Sequence, residues 1–130
     1  MKLIIGGAFQ GKRAFVKNRY GISDSEILDG GSALVESLPS IGSEFKAIDH
    51  YHLLVRNELH SGLDPVECFD KIVSDRPDLV LISDEVGNGV VPIEREERDF
   101  REALGRVLSI AARKSDEVYR IFCGLGQRMK

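Results

Sequence analysis

The segment 78–83 constrains the fold of this chain more than any other part of it. It reads DLVLIS, and its apolar residues are consecutive rather than alternating with polar ones. A continuous apolar run predicts a strand that is buried on both faces, which is typical of a parallel sheet covered by helices. The acidic residues that follow, Asp84 and Glu85, would then lie at the carboxyl end of that strand.

Strand and helix patterns alternate along the chain. Strands are predicted at 2–5, 26–28, 45–48, 78–83 and 117–122, with a short final one at 127–130. Helices are predicted at 12–20, 32–38, 50–59 and 94–114, and another begins at Pro65 behind the candidate N-cap Asp64. The alternation predicts an α/β domain with a mostly parallel sheet, and we expect residues 1–130 to form a single domain.

The longest predicted helix carries one apolar stripe along its length. Its members follow helical spacing, so we expect them to face the core or another subunit. They are Phe100, Ala103, Leu104, Val107, Leu108 and Ala111.

Charge and hydropathy argue against two classes of protein. The formal net charge is −3, whereas nucleic-acid binders usually carry a basic excess. The chain lacks an uninterrupted apolar stretch of roughly 18 residues, which argues against a membrane span. The apolar run at the start is too short for a secretory signal, so a cytoplasmic location is expected. Cys68 and Cys123 form no CxxC pair and are expected to be buried thiols.

The segment 6–12 matches GxxxxGK, the first seven positions of the phosphate-binding P-loop pattern. Glycines let the backbone curl so that several N–H groups face a phosphate, and the helix that follows adds the positive end of its dipole. The alternative is a glycine turn with a surface lysine. The predicted nucleotide-binding residues are Gly6, Gly7, Ala8, Phe9, Gln10, Gly11, Lys12 and Arg13.

Arg13 departs from this pattern, because the residue after the lysine is usually a Ser or Thr whose hydroxyl binds Mg²⁺. A guanidinium has donors and no acceptor, so it cannot ligate a cation. It could pair with a phosphate oxygen instead. The sequence therefore argues against the usual Mg²⁺ ligation while leaving nucleotide binding possible.

Several segments together carry a family resemblance. The most specific is 82–92 (ISDEVGNGVVP), supported by 98–101 (RDFR), 104–107 (LGRV) and the ending 118–126, while 6–12 and 47–59 match an opening loop and a middle strand and helix. Over residues 1–31 and 45–130 the chain resembles the adenosylcobinamide kinase/adenosylcobinamide-phosphate guanylyltransferase family of cobalamin biosynthesis.

This resemblance implies a three-layer P-loop, RecA-like domain that uses ATP or GTP and can form trimers. Such enzymes phosphorylate the aminopropanol hydroxyl of adenosylcobinamide and then transfer GMP to that phosphate. Asp49 matches the family acid that would hold Mg²⁺, directly or through water, although it could simply cap a helix. Glu85 would orient water or the acceptor hydroxyl, with loop pinning as the alternative, and Asp84 is expected to be a solvated neighbour.

The histidines set this chain apart from the resemblance. The family carries its guanylate-accepting His before the acid strand, but the stretch 32–44 here contains no His. Covalent GMP transfer is therefore expected to be absent. His50, His52 and His60 all follow the acid strand. The i, i+2 spacing of the first two would direct their rings apart on a helix, and no zinc site is predicted.

Two functions of different class remain open at this stage. In the first, the chain is a kinase-type phosphotransferase whose catalytic residues are Lys12, Asp49 and Glu85, with a nucleotide and a corrinoid as its partners. In the second, it is a non-catalytic relative that binds a nucleotide or an anion, which Arg13 and the missing His both favour. A kinase for a different small alcohol is a third, weaker reading.

Overall fold

A six-stranded sheet forms the centre of the fold. The computed structural model describes residues 1–33, 41–86 and 94–130. The strands are β1 (Lys2–Gly6), β2 (Ile27–Asp29), β3 (Ala47–Asp49), β4 (Val80–Asp84), β5 (Glu117–Phe122) and β6 (Leu125–Arg128). They lie in the order β2-β3-β4-β1-β5-β6, and all neighbours are parallel except β5 and β6. The predicted mostly parallel α/β fold is confirmed.

Helices cover both faces of this sheet. They are α1 (Lys12–Tyr20), α2 (Tyr51–His60), α3 (Pro65–Asp75) and α4 (Arg95–Lys114). Leu3 and Leu81 pack with α2, α3 and α4 on one face, whereas Ile4 and Ile82 pack with Val16 of α1 on the other. Consecutive strand residues therefore belong to different cores, which is why β1 and β4 each contain three consecutive apolar residues. The result is a three-layer arrangement.

The strongest sequence patterns correspond to real elements. Val80, Leu81, Ile82 and Ser83 are all buried, so β4 has the two-sided burial that its apolar run predicts. The stripe on α4 also faces the core, with five of its residues buried and Leu108 packed at the edge. The carboxylate of Asp64 accepts a hydrogen bond from Val66 N–H at 2.9 Å, which confirms it as the N-cap of α3.

Several weaker predictions need correction. The strand expected at 26–28 begins one residue later because Asp24–Glu26 form a 3-10 turn, and the strand expected at 45–48 is Ala47–Asp49. The final strand is Leu125–Arg128, because a tight turn with positive φ at Cys123 and Gly124 joins it directly to β5. The helix expected at 32–38 lies largely outside the described residues.

The two cysteines are less buried than expected. Cys68 on α3 is half-buried, and Cys123 in the β5–β6 turn is exposed, so the prediction of a buried thiol is wrong for Cys123. Among the described helices, none is long and apolar enough to cross a bilayer.

Glu58 is a charged type of residue at a fully buried position of α2. Neither of its carboxyl oxygens has a hydrogen-bond partner among the described residues, and the neighbouring Tyr51 hydroxyl is in the same condition. Burial raises the pKa of Glu58 to about 7, and the Asp64 carboxylate acts in the same direction, while the nearby Cys68 thiol acts against it. Glu58 therefore holds its proton in the folded protein over most of the acidic pH range.

Gly6 and Gly105 form a matched pair for testing the close approach of β1 to β5. A Cβ at Gly6 would lie 2.6 Å from the carbonyl oxygen of Ile121, whereas a Cβ at Gly105 of α4 meets open space. We expect Gly6→Ala to destabilise the fold by about 2 kcal/mol through overpacking. Gly105→Ala should stabilise it by about 0.5–1 kcal/mol by raising helix propensity. Urea unfolding of the two variants measures both changes, and equal midpoints would contradict the packing argument.

Glu58 makes the stability of the fold depend on pH. The unfolded chain releases this proton near pH 4.5 and the folded chain near pH 7, so folding is disfavoured as the pH rises through that window. We expect this group to remove roughly 3 kcal/mol of unfolding free energy between the two values. Glu58→Gln keeps the shape and lacks the charge, so its urea-unfolding free energy should lack this decline. An identical pH profile for the two proteins would contradict the assignment.

Candidate functional site

The carboxyl ends of four parallel strands bring the predicted site residues to one edge of the sheet. Gly6 at the end of β1 is in register with Asp84 of β4, and Asp29 of β2 is in register with Asp49 of β3. A cleft of about 400 Å³ opens at this edge. It is lined by Ala8, Phe9, Gln10, Gly11, Lys12, Arg13, Ala14, Asp49, His50 and Asp84.

The loop between β1 and α1 is held in place from the β5–β6 turn. The backbone N–H of Cys123 donates to Gln10 Oε1 at 2.7 Å, and that of Gly124 donates to the Gln10 carbonyl at 2.8 Å. Gly11 precedes α1 with a φ of 89°, which favours glycine. Phe9 also has a positive φ, and its side chain is fully exposed at the lining of the cleft.

Lys12 lies inside the cleft. Its side chain is only 8% exposed, and Nζ lies 2.7 Å from Asp84 Oδ1 and donates to the Gly7 carbonyl at 2.6 Å. Asp84 was expected to be a solvated neighbour. The structure instead pairs its carboxylate with Lys12, because the register places the end of β4 beside the start of the loop. The glycine-turn alternative required a surface lysine, and Lys12 is buried.

Arg13 and Asp49 form a second ion pair on the other side of the cleft. Arg13 NH1 donates to Asp49 Oδ2 at 3.1 Å, and the same guanidinium contacts Asp24 Oδ1 through Nε and NH2, each at 3.1 Å. The other oxygen of Asp49 accepts from His50 N–H at 2.7 Å. Hydrogen bonds from Lys17 and Arg13 lower the pKa of Asp24. Asp49 is buried, and each of its two carboxylate oxygens accepts a hydrogen bond.

This arrangement lacks the usual hydroxyl ligand of Mg²⁺. Arg13 offers no acceptor to such an ion, and its guanidinium is paired with Asp49, the carboxylate that was predicted to hold the metal. In the part of the chain that the structure describes, no group of three or more His, Cys, Asp or Glu side chains could hold a metal. Asp49 as a metal ligand stays a prediction, and its contacts do not favour it.

Two histidines belong to the cleft edge, although the sequence suggested no role for them. His50 is the N-cap of α2 with a φ of 52°, so it lies outside the helix and its ring comes within 5.9 Å of the His52 ring. Its Nδ1 lies 3.1 Å from Asp29 Oδ1. Nδ1 of the buried His52 accepts from Asp84 N–H at 3.2 Å. The sequence did not show that the helix begins at Tyr51, between the two histidines, so that only His52 is helical.

Glu85 lies beside the cleft and does not line it. Its Oε2 is 3.1 Å from Arg120 NH2 on β5, and its backbone N–H donates to the Gly6 carbonyl at 2.9 Å. The ion pair holds the side chain against β5. The motif at 82–92 continues beyond Glu85, and its part from residue 87 onward lies outside the described residues.

His52 is expected to be neutral at pH 7 and to carry its proton on Nε2. Burial lowers its pKa below the ordinary 6.5, and the Asp84 carboxylate acts against this shift. An NMR titration should therefore give a midpoint below 6.5, and nitrogen shifts should report the Nε2–H tautomer because Nδ1 accepts a hydrogen bond. Asp84→Asn should lower the midpoint further. A midpoint that rises in that variant would contradict the geometry.

Comparisons with known proteins identify the family of this chain. The family model described as cobinamide kinase / cobinamide phosphate guanyltransferase matches residues 49–129. The bifunctional adenosylcobalamin biosynthesis protein CobU of Salmonella typhimurium is 42% identical over 52 residues, and that of Escherichia coli is 40% identical over 52 residues. The aligned segment covers 40% of this chain and 29% of each relative. Because the family model spans more than half of its residues, this chain belongs to the cobinamide kinase / cobinamide phosphate guanyltransferase family.

Proposed function

We propose that the chain binds a nucleoside triphosphate, ATP or GTP, with the loop at 6–13 around the phosphates. We further propose that it transfers the terminal phosphoryl group to the hydroxyl of a corrinoid alcohol. The observation that carries the proposal is Lys12, whose ammonium lies in a cleft between the loop and the strand ends rather than in solvent. Lysine at this point of a strand–loop–helix unit is the residue type that contacts the outer phosphates of a nucleotide.

The start of α1 supports anion binding independently of Lys12. No side chain within the described residues caps this helix, and its first turn contains no acidic residue. The first N–H groups of a helix have no partner inside it, and they carry the positive end of the dipole. They are therefore available to a phosphate group at the cleft.

Lys12 can serve a phosphate without losing its present contacts. An ammonium has three donors, and Asp84 and the Gly7 carbonyl account for two of them. The third can reach a phosphate oxygen, and the negative charge of a triphosphate would compete with Asp84 for the whole group. In phosphoryl transfer the positive charge of Lys12 would stabilise the negative charge that develops on the transferred group.

The remaining candidates have less direct roles. Asp49 and Glu85 are proposed to orient the acceptor hydroxyl, although each is paired with an arginine in the present arrangement. We propose no guanylyl transfer, because the stretch 32–44 contains no His.

A second candidate is a non-catalytic member of the family that binds a nucleotide or an anion. The specific observation in its favour is the Arg13–Asp49 ion pair, which occupies the carboxylate that phosphoryl transfer would use. A combined assay separates the two candidates: calorimetry with ATP and GTP, and mass spectrometry of adenosylcobinamide incubated with each nucleotide and Mg²⁺. Binding with a phosphorylated product supports the kinase, binding without product supports the second candidate, and the absence of binding overturns both.

Lys12→Met should weaken nucleotide binding, because it removes charge-assisted hydrogen bonds to phosphate. The expected loss is about tenfold to a hundredfold in Kd, which corresponds to roughly 1.5–3 kcal/mol. Lys17→Met is the matched control, since Lys17 lies on the same helix and pairs with Asp24 outside the cleft. Calorimetry measures both variants, and equal losses in the two would contradict a specific role for Lys12.

A further inference from the structure

We propose that Arg13 acts as a built-in cation at the phosphate site, so that the nucleotide binds with no need for a divalent metal ion. This inference rests on the proposed nucleotide binding and concerns how that binding is achieved. It starts from the disagreement between the residues of the cleft and the ligand set that Mg²⁺ requires.

The guanidinium of Arg13 stands between two carboxylates at the cleft edge. It contacts Asp49 through NH1 and Asp24 through Nε and NH2, and all three distances are 3.1 Å. Asp49 is 5% exposed, so its charge is poorly solvated and depends on this partner. Arg13 thus neutralises the one carboxylate that lines the cleft on this side.

The helix position of Arg13 places this residue at the lining of the cleft in which the phosphates are proposed to bind. Arg13 is the second residue of α1, directly after Lys12, and it lines the same cleft. A guanidinium has five N–H donors, more than its three carboxylate contacts use. The planar fork of an arginine matches two phosphate oxygens at once, so Arg13 can bridge Asp49 and a phosphate.

The charge balance of the cleft supports the same conclusion. Its lining contains two cations, Lys12 and Arg13, and two carboxylates, Asp49 and Asp84. Lys12 pairs with Asp84, and Arg13 pairs with Asp49 and also with Asp24 outside the lining. A serine at position 13 would leave Asp49 unneutralised beside the triphosphate, and a metal ion would then be required to offset the repulsion. With arginine there, the protein supplies the positive charge itself.

Calorimetry of ATP and GTP binding tests this directly, at matched ionic strength, once with excess Mg²⁺ and once with excess EDTA. For the native chain we expect Kd values within about threefold of each other in the two conditions. Arg13→Ser removes the cation, frees Asp49 and adds a hydroxyl. Its affinity in EDTA should fall about tenfold to a hundredfold, and Mg²⁺ should restore most of the loss.

Two further variants control for charge and for folding. Lys17→Ser removes one positive charge from the same helix and from the same partner, Asp24, but Lys17 does not line the cleft. It should bind as the native chain does in both conditions. Arg13→Lys keeps the charge without the fork, so its binding in EDTA should be intermediate, and Mg²⁺ should not improve it.

The outcomes separate this inference from the proposed function. A native chain that binds nucleotide only with Mg²⁺ overturns the role of Arg13 and leaves nucleotide binding intact. The same conclusion follows if Arg13→Ser binds normally in EDTA. Absence of binding in both conditions overturns nucleotide binding and this inference with it. Should Arg13→Ser fail to fold, the native comparison and Arg13→Lys still decide the matter.

Discussion

The position of β1 between β4 and β5 determines where the loop at 6–13 lies and which carboxylate Lys12 meets. Gly6 ends β1 opposite Asp84 on one side and Ile121 on the other, and the β5 backbone leaves no room for a side chain there. The chain leaves the sheet at this point, turns through the loop and enters α1. Lys12 then returns to Asp84 because the parallel register has already placed that carboxylate beside the loop.

The three consecutive strands β2, β3 and β4 each end in an aspartate at this edge. Each aspartate has its own positively charged or hydrogen-bonding partner. Asp84 pairs with Lys12, Asp49 with Arg13, and Asp29 with the His50 ring. Adjacent strands are about 4.8 Å apart, so unpaired carboxylates in register would repel each other. Burial opposes ionisation of Asp29, yet hydrogen bonds from Gly31 N–H and His50 lower its pKa overall. At this edge Asp84 and Asp49 are each balanced by a cation, and Asp29 is stabilised by hydrogen bonds.

The sequence predicted those parts of the fold whose burial leaves a periodic pattern. The apolar run of β4 and the stripe of α4 were recognisable because packing acts on every turn or every residue of those elements. Short strands such as β2 and β3 have three residues each, so a local turn is enough to shift their bounds. The GxxxxGK pattern was also recognisable, because its glycines and Lys12 lie within seven consecutive residues.

The partners of the site residues could not be read in the same way. The sequence shows that Asp84 follows a strand, but the strand order β3-β4-β1 is a tertiary property, and it is this order that brings Asp84 to Lys12. The same holds for Glu85, which follows β4 and pairs with Arg120 of β5, on the far side of β1. His50 and His52 looked divergent because the i, i+2 rule assumes that both residues are helical, whereas His50 caps α2 in a left-handed conformation.

Residue 13 is one of the positions at which this chain departs from the resemblance on which the proposed chemistry rests. The mostly parallel α/β sheet is present, and Lys12 lies directly after the loop that follows β1. At residue 13 the P-loop pattern has a hydroxyl that can accept, whereas Arg13 only donates hydrogen bonds. Its guanidinium forms an ion pair with the buried carboxylate of Asp49. A fold can keep its architecture through such a change because Arg13 lies at the surface of α1 and disturbs no core contact. We expect its consequence in the site and not in the architecture, which is why function must be argued from the site and not from the fold alone.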